Sequence, residues 1–130
     1  EHSNIASLPE GLKIGGNLHL SYTPKLKSLP SDLDVKGDIY LEGSKITSLP
    51  EGLKVRGELD LFDSKITSLL EGLKVGGDLL LQYTTIKSLP KGLEVGGDLY
   101  TKNTELEGYT DEELRDMIKP GFIKGKIKRG

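Results

Sequence analysis

Three columns of polar and aromatic residues recur about every 20 positions and hold most of the chain's capacity for chemistry. The first is Asn17, Asp38, Glu58, Asp78 and Asp98. The second is His19, Tyr40, Asp60, Leu80 and Tyr100, and the third is Ser21, Glu42, Phe62, Gln82 and Lys102. Tyr22, Asp63, Tyr83 and Asn103 stand just beyond them. Stacked carboxylates could share a hard cation such as calcium, or draw a basic surface by charge. Solvent-facing rings could anchor a protein partner. The plainer readings are turn chemistry beside glycine for the acids, and solubility with stacking between neighbouring rows for the rings. No single repeat supplies enough oxygens to enclose calcium, so neither a metal nor a cofactor is expected.

Catalytic constellations are weak. His2 and His19 have no evident nucleophile or ligand partner in the sequence. The recurring GLKVGG lacks the Lys-Ser/Thr that cradles phosphate, and its recurrence marks a structural corner. Asp60 and Asp78 could imitate a glycosidase pair, but an open sheet offers no enclosure to tune two carboxyl groups apart. The chain has no Cys, which removes thiol nucleophiles, thiolate zinc sites and disulfides together. The expectation is therefore a protein that is not an enzyme.

The elements that must position these columns are written in the repeat. Ile46, Ile66, Ile86 and Leu106 are 20 apart, as are Leu29, Leu49, Leu69 and Leu89. Six apolar columns result, led by Ile5, Leu8, Leu12, Ile14, Leu18 and Leu20. One coil cannot bury such a stripe by itself, whereas stacked coils about 4.8 Å apart share a continuous core. In Asp78-Leu79-Leu80-Leu81 the inward residues alternate, which predicts a short strand, and stacking makes a parallel sheet. Gly16, Gly37, Gly57, Gly77 and Gly97 precede these strands, implying a bend or a crowded backbone. Pro9, Pro30, Pro50 and Pro90 follow Leu, so the back of the coil reads as extended rather than helical. A second short strand is allowed at Gly92–Val95. The first unit is one residue longer, with the extra residue in SYTPKL near Pro24.

These residues resemble the leucine-rich-repeat pattern LxxLxLxxNxLxxLPxxL, with Leu79, Leu81, Thr84, Ile86, Leu89, Pro90 and Leu93 on its positions. Ser44, Ser64, Thr84 and Thr104 replace the family's Asn, with Ser3 in register. They are expected to bond a neighbouring coil's backbone. The resemblance covers roughly residues 3–109. The 20-residue period with SLPEGL is similar to the short LP-containing repeats of bacterial secreted effectors, from which it departs in its Gly-Gly corner and hydroxyl ladder. The resemblance implies a concave parallel sheet, an extended convex side and a bacterial protein, secreted or cytoplasmic. In effectors that are ubiquitin ligases the catalytic Cys would lie outside these residues.

The chain begins in mid-coil, so an upstream strand is expected. At the other end Tyr109 takes the register of Leu89 and should point inward. Thr110-Asp111-Glu112-Glu113 is a capping box, with Tyr109 and Leu114 placed for a hydrophobic staple. A helix over about 111–119 should stop before Pro120 and lie over the last coil. Phe122, Ile123 and Ile127 are free to add a last strand or wrap. Lys119, Lys124, Lys126, Lys128 and Arg129 make the remainder a basic tail.

The fold expected is thus a mostly-β member of the α/β leucine-rich-repeat solenoids, in two parts. Residues 1–109 form about five coils, and 110–130 form a C-terminal cap of helix and basic tail. A net charge of -2 speaks against nucleic acid as the main partner, and no apolar run reaches membrane-spanning length. The function expected is recognition of a protein with a basic surface. Its contacts are Tyr40, Glu42, Asp60, Phe62, Leu80, Gln82, Tyr83 and Tyr100. The alternative is a structural scaffold that self-associates through the open edge of the first coil.

Overall fold

The structure is a computed structural model and describes residues 6–129. Ser3, Ile5 and His2 lie outside the described residues. The chain runs through β1 (Lys13–Ile14), β2 (Leu18–His19), β3 (Asp34–Val35) and β4 (Ile39–Tyr40). Next come β5 (Lys54–Val55), β6 (Leu59–Asp60), β7 (Lys74–Val75) and β8 (Leu79–Leu80). Then follow β9 (Glu94–Val95), β10 (Leu99–Tyr100), a 3-10 turn at Glu105–Gly108 and helix α1 (Asp111–Met117). The last strands are β11 (Phe122–Ile123) and β12 (Ile127–Lys128). Odd-numbered strands form one six-stranded sheet and even-numbered strands another, with every pairing parallel. The fold is a solenoid of roughly 20-residue repeats.

Each coil follows from its residues. Leu53 and Val55 point inward and Lys54 outward; after the glycine corner, Leu59 and Leu61 point inward and Asp60 outward. The extended back then turns at Pro50-Glu51-Gly52-Leu53, where the Leu53 N–H donates to the Pro50 carbonyl. Gly52 there has φ 77°, the positive value that this turn requires of its third residue. The second sheet, formed by the odd strands, occupies a segment for which the sequence only allowed a strand. Its strands are short because bends bound them on both sides.

The apolar columns form one continuous core. Leu26, Ile46, Ile66, Ile86 and Leu106 are fully buried, and the other columns follow down the solenoid. Leu8, Leu12 and Ile14 in the first described coil are only partly buried. Thr101, which ends the sixth column, is fully buried and its backbone N–H donates to the Lys128 carbonyl. The extra residue of the first unit is absorbed in the turn at Thr23–Leu26, where the Leu26 N–H reaches the Thr23 carbonyl.

Several expectations need correction. The hydroxyls do not bridge coils. Thr23, Thr84 and Thr104 donate to the carbonyls of Leu20, Leu81 and Thr101 in their own coils, at 2.7, 2.8 and 2.7 Å. At this position the carbonyl three residues back lies beside the hydroxyl and accepts its hydrogen bond. Tyr109 does not point inward; it is 38% exposed. The 3-10 turn after Thr104 interrupts the register there; Leu106, in the turn, keeps its own column's interior place, but Tyr109 does not.

The capping box of α1 is present in both directions, with Thr110 Oγ1 accepting from the Glu113 N–H and Glu113 Oε1 accepting from the Thr110 N–H. The helix ends at Met117, two residues short of the expected limit. Its Leu114 and the following Ile118 are fully buried in the core. The basic tail is not free. β11 pairs with β9 and β12 with β10, so residues 119–129 extend both sheets. Arg115 fastens this return, donating to the carbonyls of Ile123 and Gly125 at 2.6 and 2.9 Å.

Candidate functional site

The outer face of the even-strand sheet carries the three predicted columns. Strand register sets Tyr40, Asp60, Leu80 and Tyr100 side by side, with His19 before them and Lys128 after them. All eight predicted contact residues lie on this face or its rim. Tyr83 is exposed; the other seven are half-buried. Lys126 and Lys128, which the sequence reading assigned to a tail, are the last members of the first two columns. The signal was the Gly125 before them, which repeats the pre-strand glycine after an inserted helix.

The first column has a structural duty. Asn17 Oδ1 accepts from the Asp38 N–H at 2.8 Å, and Asp38 Oδ1 from the Glu58 N–H at 2.7 Å. Asp78 and Asp98 repeat this toward the N–H groups of Asp98 and Lys126, at 2.7 and 2.8 Å. The short carboxylate or amide thus satisfies the next coil's backbone where the sheet ladder begins. The expected result is that Asp78→Ala lowers unfolding free energy by about 1–2 kcal/mol, the cost of a stranded N–H. Asp78→Asn should recover most of it, because Asn17 performs the same task; urea titration of both variants checks this.

The backbone bonds, aided by the Tyr40 hydroxyl, hold the Asp38 carboxyl below its usual range. Tyr40 donates to Asp38 Oδ2 at 2.8 Å, which raises the phenol to about 12. Tyr40 also stacks on His19, with centroids 4.8 Å apart and planes at 18°. Tyr40 is therefore a braced ring.

At mid-sheet, Glu58 of the first column behaves differently, together with Asp60 of the second and Glu42 of the third. Burial pushes the carboxyl groups of Glu58, Asp60 and Glu42 up from their ordinary values. Neighbouring carboxylates add to this: Asp60, Asp38 and Asp78 act on Glu58, and Asp60 and Asp63 act on Glu42. Asp60 recovers part of the loss by accepting from the Phe62 N–H at 3.0 Å. No cation pairs with these three among the described residues; the face's ion pair, Lys128 with Asp98 at 3.7 Å, lies at its far end. Gln82 Oε1 is buried without a hydrogen-bond partner among the described residues.

Beside the acids sits an aromatic rim. Phe62 packs on Tyr83 with centroids 5.2 Å apart. Tyr22 and Tyr83 are each 43% exposed. Both hold left-handed backbone, φ 57° and 60°, at the position that Gly43 fills in its coil with φ 67°. A non-glycine residue costs about 1 kcal/mol there, so these tyrosines sit where a glycine would be the easier fit.

No protein-family model, curated protein or solved structure matches this chain. Among the described residues, no group of three or more His, Asp or Glu is placed to hold a metal ion, and no helix is long and apolar enough to cross a membrane. The site must be read from its own chemistry. It is an open surface with clustered hydrogen-bond acceptors, few donors and two exposed tyrosines.

One charged surface has no counterpart among the columns singled out in the sequence. The outer face of the odd-strand sheet presents Lys54, Arg56, Lys74 and Lys124 around a groove of about 440 Å³. Its signal was present in Leu-Lys-Val, since a residue between two inward positions must point out.

Proposed function

We propose that this chain is a recognition module of the leucine-rich-repeat type that binds a protein with a basic surface through the outer face of the even-strand sheet. The reading rests on one observation: Glu42, Glu58 and Asp60 are partly desolvated, mutually repelling and in no ion pair among the described residues, next to the Phe62–Tyr83 pair. A fold tolerates such a cluster at some expense in stability, and a partner's Lys or Arg would relieve it. The exposed tyrosines supply apolar area that surrounding contacts can shield from water. The LP-containing bacterial subtype follows from the SLPEGL units, and α1, with Leu114 and Ile118 in the core, is read as the device that closes the solenoid's end.

The test compares the parent chain with Asp60→Lys/Phe62→Ala. Circular dichroism should show both folded, because neither side chain is in the core. Titration with a lysine-rich peptide should give binding to the parent and at least a tenfold loss in the variant, on the order of 1.4 kcal/mol or more. Binding should also weaken as pH falls through the carboxylate range, because protonation removes the attracting charge. Equal affinity for the two folded chains would sink the proposal. In a lysate pull-down, a protein held by the parent and lost by the variant would give the partner.

A further inference from the structure

The even-strand face leaves its counterpart unexplained. Lys54 and Lys74 stand directly opposite each other on β5 and β7, and both are exposed. Neither has an acidic partner among the described residues, nor does Lys124. Like charges facing each other across a sheet destabilise it, and Asp34 and Glu94, in register on the outer sides of Lys54 and Lys74, offset part of this. The groove floor between them is backbone: a Cβ on Gly76 would collide with the Arg56 carbonyl, and one on Gly96 with that of Gly76. The molecule therefore has one face richer in cations and one acidic face, and on each some charges lie outside any ion pair among the described residues.

The two faces match at their middle levels. Both are built by the same coils, so their charges share one spacing of about 4.8 Å. Lys54 and Arg56 lie in the coil that holds Glu58 and Asp60, and Lys74 in the coil that holds Asp78. The coils on either side are mixed in sign, with Asp34 before and Glu94 after on the odd face, and Asp98 beside Lys102 on the even face. A copy laid alongside with its axis parallel would meet opposite charge at the two middle levels.

We propose that the basic surface recognised by the acidic face is the odd-strand face of a second copy of this chain. This deepens the reading above and rests on it. The contact is heterologous, joining different patches on the two copies, so each copy keeps one face free for the next. Six strands and two outward rows bury roughly 400 Å² a side by the same spacing, about half of what a standard interface needs. Association is accordingly weak, electrostatic and sensitive to salt.

Sedimentation velocity over a concentration series decides it. At low salt the parent should associate progressively, and high salt should disperse it. Lys54→Glu/Lys74→Glu, altered on the odd face, and Asp60→Lys, altered on the even face, should each associate at least tenfold more weakly. Mixed together they should form pairs that do not grow, because one contributes an intact even face and the other an intact odd face. A parent that stays monomeric at every concentration overturns the proposal, as does a mixture that fails to pair. Lysine-rich peptide distinguishes the two levels of failure. A monomeric parent that binds the peptide loses self-recognition and keeps the acidic-face reading; one that binds neither loses both. If the monomeric parent instead holds a sulfated polysaccharide and Lys54→Glu/Lys74→Glu does not, the odd face serves a polyanion and self-recognition is refuted.

Discussion

Gly57→Ala should destabilise the chain by about 3 kcal/mol, at the upper end for overpacking a tight site. A Cβ at this position would collide with Asp38 Oδ1 and come within 2.9 Å of the Gly37 carbonyl oxygen. Neither neighbour can yield cheaply. Asp38 Oδ1 is held by the Glu58 N–H, and the Gly37 carbonyl accepts the Gly57 N–H at 3.1 Å. The coils must separate, or the carboxylate must abandon its bond. Gly16→Ala is the matched control, since Gly16 belongs to the same column and a Cβ there meets no atom within 4 Å. That variant should stay within about 0.5 kcal/mol of the parent. Chemical denaturation followed by far-UV circular dichroism measures both. Equal effects at the two positions would mean that coil contact is not what selects glycine here.

Ile66→Ala should cost about 4 kcal/mol, while Ile66→Val should cost about 1 kcal/mol. Ile66 is fully buried in a central coil, in the column between Ile46 and Ile86, which are also fully buried. Coils on both sides hold the cavity open, so the void cannot collapse. The same truncation at Leu8, only partly buried in the first described coil, should cost much less. In a solenoid each coil is stabilised mainly by its neighbours, so damage in the middle removes two interfaces and damage at an end removes one. If Leu8→Ala matched Ile66→Ala in urea midpoint, the stacked-column account of stability would be wrong.

Much of this architecture was legible because repetition makes the argument several times over. A single Leu-x-Val is ambiguous between strand and helix, but five stacked copies admit only a coil with fixed inward and outward sides. The outward side of the even strands was legible for the same reason: once Leu59 and Leu61 are inward, Asp60 must be outward. What repetition hides is any feature that breaks period. The register of Tyr109 failed because the 3-10 turn at Glu105–Gly108 and helix α1 lengthen the last repeat, so that Phe122 pairs with Glu94. A last strand was allowed at Phe122, Ile123 and Ile127, but the same insertion hid that β11 and β12 each continue a sheet, and their lysines read as a tail.

The sequence by itself determined the period, the inward columns, the glycine corner, the helix start at Thr110 and the side of each coil that carries acids and rings. These depend on contacts within a coil or on the nearest coil, where spacing along the chain translates directly into position. Only the tertiary structure decided that Asn17, Asp38, Asp78 and Asp98 of the first column cap the next coil's N–H groups, while Glu58, Asp60 and Glu42 stand without an ion pair among the described residues. It alone set Lys54, Lys74 and Lys124 around one groove, and it decided that the final segment, where a last strand was only allowed, supplies one strand to each sheet. Hydrogen-bond partners and charge balance are decided by distances of a few ångström between residues 20 or 28 apart in the chain, and residue types along a line do not specify those distances.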